Sequence, residues 1–206
     1  MNSNEIIIFG AGQFGNYLLD ILNQTKEYKF IGFVDNIKKS KVICNDDYFE
    51  KNIKNKFKNV SVLIGVYDQK IRYKIINYIE KYNLKAPNLI DKSVISSKSL
   101  KIGKGNVIGT NTTVSNNVNI GNYNLIGTGV NILHNSKIHN NVIISGGSNI
   151  GANVQIYDNV FTGVGTTIAS GKIKIKENSF VCAGSVVLNS IKSNSKVIGN
   201  PARKIL

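Results

Sequence analysis

The sequence of 206 residues has no tryptophan, two prolines and two cysteines. Cys44 and Cys182 stand far apart, without the paired spacing of a metal knuckle or the cysteine density of a secreted disulfide framework. No metal site and no stapled fold are expected, and a reducing cytoplasm suits such a chain. Long apolar runs are also missing. The first, Ile6 to Phe9, ends at Gly10 and is too short for a membrane span or a secretory signal. Membrane insertion is therefore not expected. Acidic residues are scarce, 12 against 26 Lys and Arg, which leaves a formal charge of +14. The basic residues are spread thinly, with neither aromatic interleaving nor a basic helix, so nucleic acid is not the expected partner. Lys, Asn and Ile are all abundant, as AT-rich coding bias would produce. A basic surface still attracts phosphorylated ligands. With 42% hydrophobic residues the chain is too apolar for disorder and long enough for one large or two small domains.

What is present is a repeat. From Ile102, steps of six reach Ile108, Val114, Ile120, Ile126, Ile132, Ile138, Ile144, Ile150 and Ile156 without a miss. The following residue is often small, as in Gly103, Gly121, Ser145 and Gly151, and the fourth after is often Val, Ser or Thr. This period fits neither an amphipathic helix nor a simple alternating strand. It fits a short strand plus a turn, three of which close one triangular coil. Stacked coils superimpose the β-branched residues in ladders that fill a dry core, and Asn and Gly at the turns tolerate left-handed backbone. The register continues through Thr162 and Ile168, then slips by one to Ile175, Val181 and Val187. The slip predicts a bulge near residues 170–174.

Ahead of the repeat, Asn4 to Phe9 reads as a strand, followed by Gly10-Ala11-Gly12-Gln13-Phe14-Gly15 and a helical pattern through Tyr17, Leu18, Ile21 and Leu22. This is GxGxxG in the strand–turn–helix context it requires. Lys29 to Val34 is a second strand, ending at Asp35, where a carboxylate can accept hydrogen bonds from a ribose or base. Ser61 to Val66 is a third strand and Asp68 to Tyr82 a helix. A glycine turn of this kind aims backbone N–H groups and a helix N-terminus at phosphates. Gly10, Gly12, Gln13, Phe14, Gly15 and Asp35 are the candidate nucleotide-binding residues. Fewer than ninety residues leave room for only half of a dinucleotide fold, which argues against NAD-dependent redox chemistry.

A short glycine-fingerprint α/β domain joined to a hexapeptide solenoid, with Ile198-Gly199-Asn200-Pro201-Ala202-Arg203 following it, resembles the bacterial sugar O- and N-acyltransferases. The resemblance covers essentially the whole chain. It implies a half-Rossmann α/β domain over residues 1–88 and a left-handed parallel β-helix over 89–206. It also implies acetyl-coenzyme A as donor, a nucleotide-linked sugar of glycan biosynthesis as acceptor, and a homotrimer with active sites between adjacent solenoids. In the amino-sugar enzymes a mid-solenoid His, usually followed by an acid, is the general base. The matching stretch here is Asn131-Ile132-Leu133-His134-Asn135-Ser136, so His134 falls in place and Asn135 replaces the acid. An amide can orient an imidazole but adds no charge to raise its basicity. The missing charge leaves room for a differently tuned base, a carboxylate such as Asp158 supplied from elsewhere, or a protein that binds without turnover. O-acetylation of a sugar hydroxyl uses the same scaffold and donor. By the same resemblance coenzyme A lies near Ile143, Ala152, Gly163, Gly165, Ala183 and Gly184, and a backbone N–H near Gly146 or Gly147 meets the oxyanion.

Overall fold

The computed structural model describes residues 4–205, which divide into two compact units on either side of the Leu89–Ile90 bond. The first unit is built from β1 (Glu5–Phe9), α1 (Gln13–Thr25), β2 (Lys29–Val34), β3 (Val42–Cys44), α2 (Asp46–Asn52), β4 (Ser61–Ile64) and α3 (Gln69–Lys81). The strands form one parallel sheet in the order β3-β2-β1-β4. Central β1 buries Ile6, Ile7 and Ile8 completely, which is why it reads as an unbroken apolar run rather than an alternating one. The strand order reverses beside β1, which pairs with β2 on one side and β4 on the other. Open α/β sheets hold ligands at the carboxyl ends of strands flanking such a reversal.

The strands and helices expected from sequence are present, with the third strand ending at Ile64 rather than Val66. Strand β3 and helix α2 are additional. Three-residue β3 is too short to show a period, and α2 begins at an Asn45 cap whose side chain accepts the Tyr48 N–H at 2.9 Å. Helix α2 places Phe49 edge-on against Phe9, with ring centroids 4.9 Å apart, so it closes the core at the end of β1.

The second unit is a parallel β-helix of two-residue strands. Each pairs with strands one coil away in both directions, as Leu125–Ile126 does with Val107–Ile108 and Ile143–Ile144. The second residue of each strand points inward, and the ladder from Ile108 to Val187 makes the buried core. Burying each such side chain contributes roughly 1.5–3 kcal/mol. Side chains from the polar inward positions satisfy corner carbonyls, as Thr112 Oγ1 does for Gly127 O and Ser136 Oγ for Gly151 O, both at 2.9 Å.

At the corners the backbone turns through the left-handed region, and the residues there form vertical rows. One row is Asn117, Asn135 and Asn153, another Asn141, Asn159 and Asn178, and a third Gly129, Gly147, Gly165 and Gly184. Asn tolerates this conformation better than other residues bearing a Cβ, and its amide can bond to its neighbour in the row. The register slip is one extra residue between the strands Thr167–Ile168 and Lys174–Ile175. After it the sheet partners of Ile156, Thr162 and Ile168 are Ile175, Val181 and Val187, so all three faces shift together and the core ladder is unbroken.

Candidate active site

In the first unit the three fingerprint glycines have different reasons to be glycine. Gly10 has φ +98°, and a Cβ there would come within 2.6 Å of Val66 Cγ1. A Cβ on Gly15 would overlap the carbonyl oxygen of Gly10, so this glycine lets α1 close onto the turn. Gly12 differs. Its φ of −77° suits any residue, and a Cβ there would meet nothing within 4 Å. Gly12 is the N-cap of α1, no side chain caps the helix, and its exposed neighbour Gln13 opens the first turn. The first N–H groups of a helix have no partner inside it, so this end offers donors and a positive dipole to an anion.

Asp35 follows the end of β2, as expected, and its carboxylate is hydrogen-bonded to the backbone. Its Oδ2 accepts the Ala11 N–H at 2.7 Å and its Oδ1 accepts the Ile37 N–H at 2.9 Å. Oδ2 therefore braces the glycine turn and Oδ1 the chain just after β2, so both oxygens already have partners. A cleft of about 370 Å³ opens beside it, lined among others by Gly10, Asn36, Asp46, Val66 and Lys74. Lys74 Nζ lies 3.5 Å from Asp46 Oδ2. Phe14 packs on Tyr67 with centroids 4.5 Å apart. Behind this wall the buried Arg72 donates from Nη1 to Val66 O at 3.1 Å, and burial pulls its guanidinium down to about 10, leaving it cationic at neutral pH.

In the solenoid His134 is exposed at a corner, and Asn135 beside it is in the left-handed region at φ +59°. Asn135 Nδ2 lies 3.2 Å from His134 Nδ1, and Asn135 Oδ1 accepts from Asn117 Nδ2 at 3.3 Å. With the amide nitrogen toward the ring, Nδ1 is the acceptor and the ring proton sits on Nε2. Turning the amide over presents Oδ1, moves the proton to Nδ1 and leaves Nε2 with a lone pair. Only the second arrangement makes Nε2 a base. Within one chain Asp158 does not reach His134: its Oδ1 accepts the Asn140 N–H at 2.7 Å, beside the Asn141–Asn159 row rather than the row of Asn135. His139 is half-buried on the outer surface, its ring stacked on Tyr157 with centroids 4.6 Å apart.

The residues expected around coenzyme A separate into three places. Ala152 stands one coil beyond His134, whose carbonyl accepts the Asn153 N–H at 3.0 Å; the Ala152 N–H itself donates to Ser170 Oγ at 3.0 Å. Gly163, Gly165, Ala183 and Gly184 gather at a different corner, in register with Gly147. The Gly163 position needs glycine because a Cβ would press on the Ala183 amide, whereas a Cβ at Gly165 or Gly184 would meet nothing within 4 Å. Ile143 must be withdrawn from the set, because its side chain is completely buried. Gly146 and Gly147 must be withdrawn as partners of His134 within one chain. They share the corner of Gly165, and the Gly147 N–H is already given to Thr128 O at 2.9 Å. Among the described residues no cluster of His, Cys, Asp or Glu could hold a metal ion. The amide relay from Asn117 to His134 was not foreseen from sequence, although the eighteen-residue spacing of Asn117 and Asn135 carried it.

Comparison with known proteins adds three findings. Residues 5–79 match the family model described as the PglD N-terminal domain. No curated protein matches the chain. Solved structures do. The acetyltransferase domain of PglB from Neisseria gonorrhoeae FA1090 is 22% identical with a TM-score of 0.92, over 98% of this chain and 100% of that one. WeeI from Acinetobacter baumannii AYE is 22% identical with a TM-score of 0.88, over 97% and 99% of the two chains. A mutant of GDP-perosamine N-acetyl transferase from Caulobacter crescentus, in complex with CoA and GDP-perosamine, is 20% identical with a TM-score of 0.70, over 98% and 96%. At these identities the likeness is one of fold, and it covers nearly the whole chain. The protein has the architecture of these acetyltransferase structures, an N-terminal α/β unit of PglD type followed by a left-handed parallel β-helix.

Proposed function

We propose that the chain is an acetyl-CoA-dependent acetyltransferase acting on the amino group of a nucleotide-linked amino sugar in glycan biosynthesis, with His134 as general base. The observation that carries this reading is the exposed imidazole of His134, held through Nδ1 by the amide of Asn135 on a solenoid corner. The open end of α1 at Gly12 supports a nucleotide on the first unit, and the solved relative bound to CoA and GDP-perosamine supports the pairing of donor and acceptor.

In the reaction a neutral amine attacks the thioester carbonyl carbon, forming the C–N bond. With the Asn135 amide turned so that Oδ1 faces Nδ1, His134 Nε2 takes the proton released from nitrogen, and collapse of the tetrahedral intermediate breaks the C–S bond and returns that proton to the leaving thiolate. Such general-base help is worth ~10²–10⁴-fold in rate. An amine needs less of it than a hydroxyl does, which suits a histidine whose neighbour is an amide. The backbone N–H of Ala152, one coil beyond His134, is nearest in register for the oxyanion, and it can serve only if the Ser170 hydroxyl that now accepts it at 3.0 Å turns away. The Gly165 and Gly184 corner can reach a His134 only from a second copy of the chain, which is the basis for proposing a homotrimer.

The test is acetyl transfer from acetyl-CoA to a panel of nucleotide-linked amino sugars by wild type and His134→Ala. Amide product with wild type and a loss of at least a hundredfold in the variant are expected. Equal rates would remove His134 from the mechanism, and an alkali-labile ester product would replace the amine by a hydroxyl acceptor.

A further inference from the structure

The three faces of the solenoid differ sharply in charge. One face is a five-stranded sheet whose strands begin, in coil order, with Lys101, Asn119, Lys137, Gln155 and Lys174. The corresponding outward positions of the six-stranded face are Ile95, Thr113, Asn131, Asn149, Thr167 and Val186, without a cation. Those of the third face from Val107 to Phe180 are all apolar. The third face gains cations only at its C-terminal end, at Lys196, Arg203 and Lys204, whereas coding bias toward lysine would load all three faces along their length, so the concentration of lysine on one face is a property of the fold. Lys176 lies on the same face, and Lys98, Lys104 and Lys172 on its corners. All but half-buried Lys176 are exposed.

Residues 90–206 hold twelve Lys and Arg against three acids, Asp91, Asp158 and Glu177. Asp91 is buried, and the other two already engage Asn140 and Ser193. Asp158 and Glu177 lie at one edge of this face, Glu177 beside Lys176, and among the described residues no ion pair is formed by Lys101, Lys137 or Lys174. Alternate coils set Lys101, Lys137 and Lys174 about 10 Å apart along a flat surface roughly 20 Å long. That spacing is about one Debye length at 0.1 M salt, so an opposing plane of negative charge meets the three together.

From this grid we infer that the lysine face is a docking surface for an anionic phospholipid bilayer. The shape of the face separates a membrane from nucleic acid. Single strands need open aromatic rings for base stacking, and the one tyrosine ring here, Tyr157, is covered on one side by His139 at 4.6 Å and on the other by Lys176 Nζ at 4.0 Å. A duplex is read by an element that enters a groove, which a flat sheet face does not supply. A planar, laterally mobile array of phosphate headgroups fits a planar array of ammonium groups. The association is peripheral, because among the described residues no helix is long and apolar enough to cross a membrane.

The experiment is sedimentation of the full chain with vesicles of phosphatidylglycerol and phosphatidylcholine, comparing wild type with the triple variant Lys101→Glu, Lys137→Glu, Lys174→Glu. A control triple, Lys38→Glu, Lys39→Glu, Lys41→Glu, applies the same charge change to exposed lysines of the first unit. Wild type should bind anionic vesicles at low salt, release them at about 0.5 M salt, and ignore pure phosphatidylcholine. The face variant should bind on the order of a hundredfold more weakly and the control within about twofold of wild type. Equal losses in both triples, or tighter binding to duplex or single-stranded nucleic acid at the same salt, would overturn the inference. Circular dichroism on both triples excludes unfolding. Acetyl transfer in vesicle-free solution should be unchanged in the face variant, so a failure of docking and a failure of the enzymatic reading are told apart.

Discussion

The side-chain amide nitrogen of Asn135 lies 3.2 Å from Nδ1 of His134, and its oxygen accepts from Asn117 one coil below. The imidazole is therefore oriented by a neutral group that can present either a donor or an acceptor. The tautomer of His134 depends on which way the amide faces, and the Asn117 amide biases that choice by donating to the oxygen.

Asn135→Asp removes the choice. A carboxylate only accepts, so Nδ1 carries the proton and Nε2 the lone pair, and the charge-assisted bond is about twice as strong. We expect kcat to rise up to about tenfold, read from initial rates of acetyl transfer. Asn135→Gly keeps the left-handed backbone without strain and loses only the amide, so it should lower kcat while leaving the melting temperature nearly unchanged. A melting temperature that falls with kcat would show that Asn135 is only a corner residue.

Gly12→Ala and Gly15→Ala separate ligand approach from packing. At Gly15 a Cβ would collide with the Gly10 carbonyl, and a loss of about 3 kcal/mol or more in urea unfolding is expected. At Gly12 a Cβ has open space, so stability should change by no more than about 0.5 kcal/mol. Calorimetric affinity for a nucleoside diphosphate should nevertheless fall at least tenfold in Gly12→Ala. Unchanged affinity would mean that no phosphate approaches this turn.

Asp35→Ala deprives the Ala11 and Ile37 N–H groups of their acceptors. Each unsatisfied donor costs about 1–3 kcal/mol where water cannot replace the carboxylate. Chemical denaturation should register a loss of that order, accompanied by weaker nucleotide binding. If binding vanished with stability intact, Asp35 would be a direct ligand contact rather than a latch.

Cys44, at the end of β3 two residues before Asp46 of the cleft, gives a pH test of its surroundings. Burial, then the nearby Asp46 carboxylate, push its thiol above the usual value, while Lys56 opposes them weakly. The folded chain thus holds the proton to higher pH than the unfolded one, so this group's contribution to stability is present below the unfolded value and declines as pH rises through the folded one. Iodoacetamide should modify Cys44 more slowly in the folded than in the unfolded protein at pH 8, and Asp46→Asn should speed the reaction. No acceleration would leave burial alone as the cause.

The solenoid was legible because its constraint repeats: each coil must present β-branched residues at the same three inward positions, from Ile108 to Val187. Even the slip after Ile168 was visible, since one inserted residue displaces every later member of the ladder. The α/β unit was legible where the chain has a strong local period, in α1 and α3, and obscure where three residues join an existing sheet edge, as at Val42–Cys44. The candidate site was harder. Ile143 looks like any other ladder neighbour in sequence, and only the fold makes it inaccessible. The relay from Asn117 through Asn135 to His134 joins residues eighteen positions apart, a distance at which sequence shows spacing but not the direction of a side chain.

The extra residue near Gly171 sits within one coil, and the strands stay paired in parallel before it, across it and beyond it although the spacing between partners changes. The solenoid is therefore insensitive to the length of chain emerging at that corner. Natural variation there can lengthen or reshape a loop without disturbing the stacked interior. Ser170, which accepts the Ala152 N–H, leads into that corner, so the surroundings of the amide beyond His134 can change while the scaffold that positions it does not.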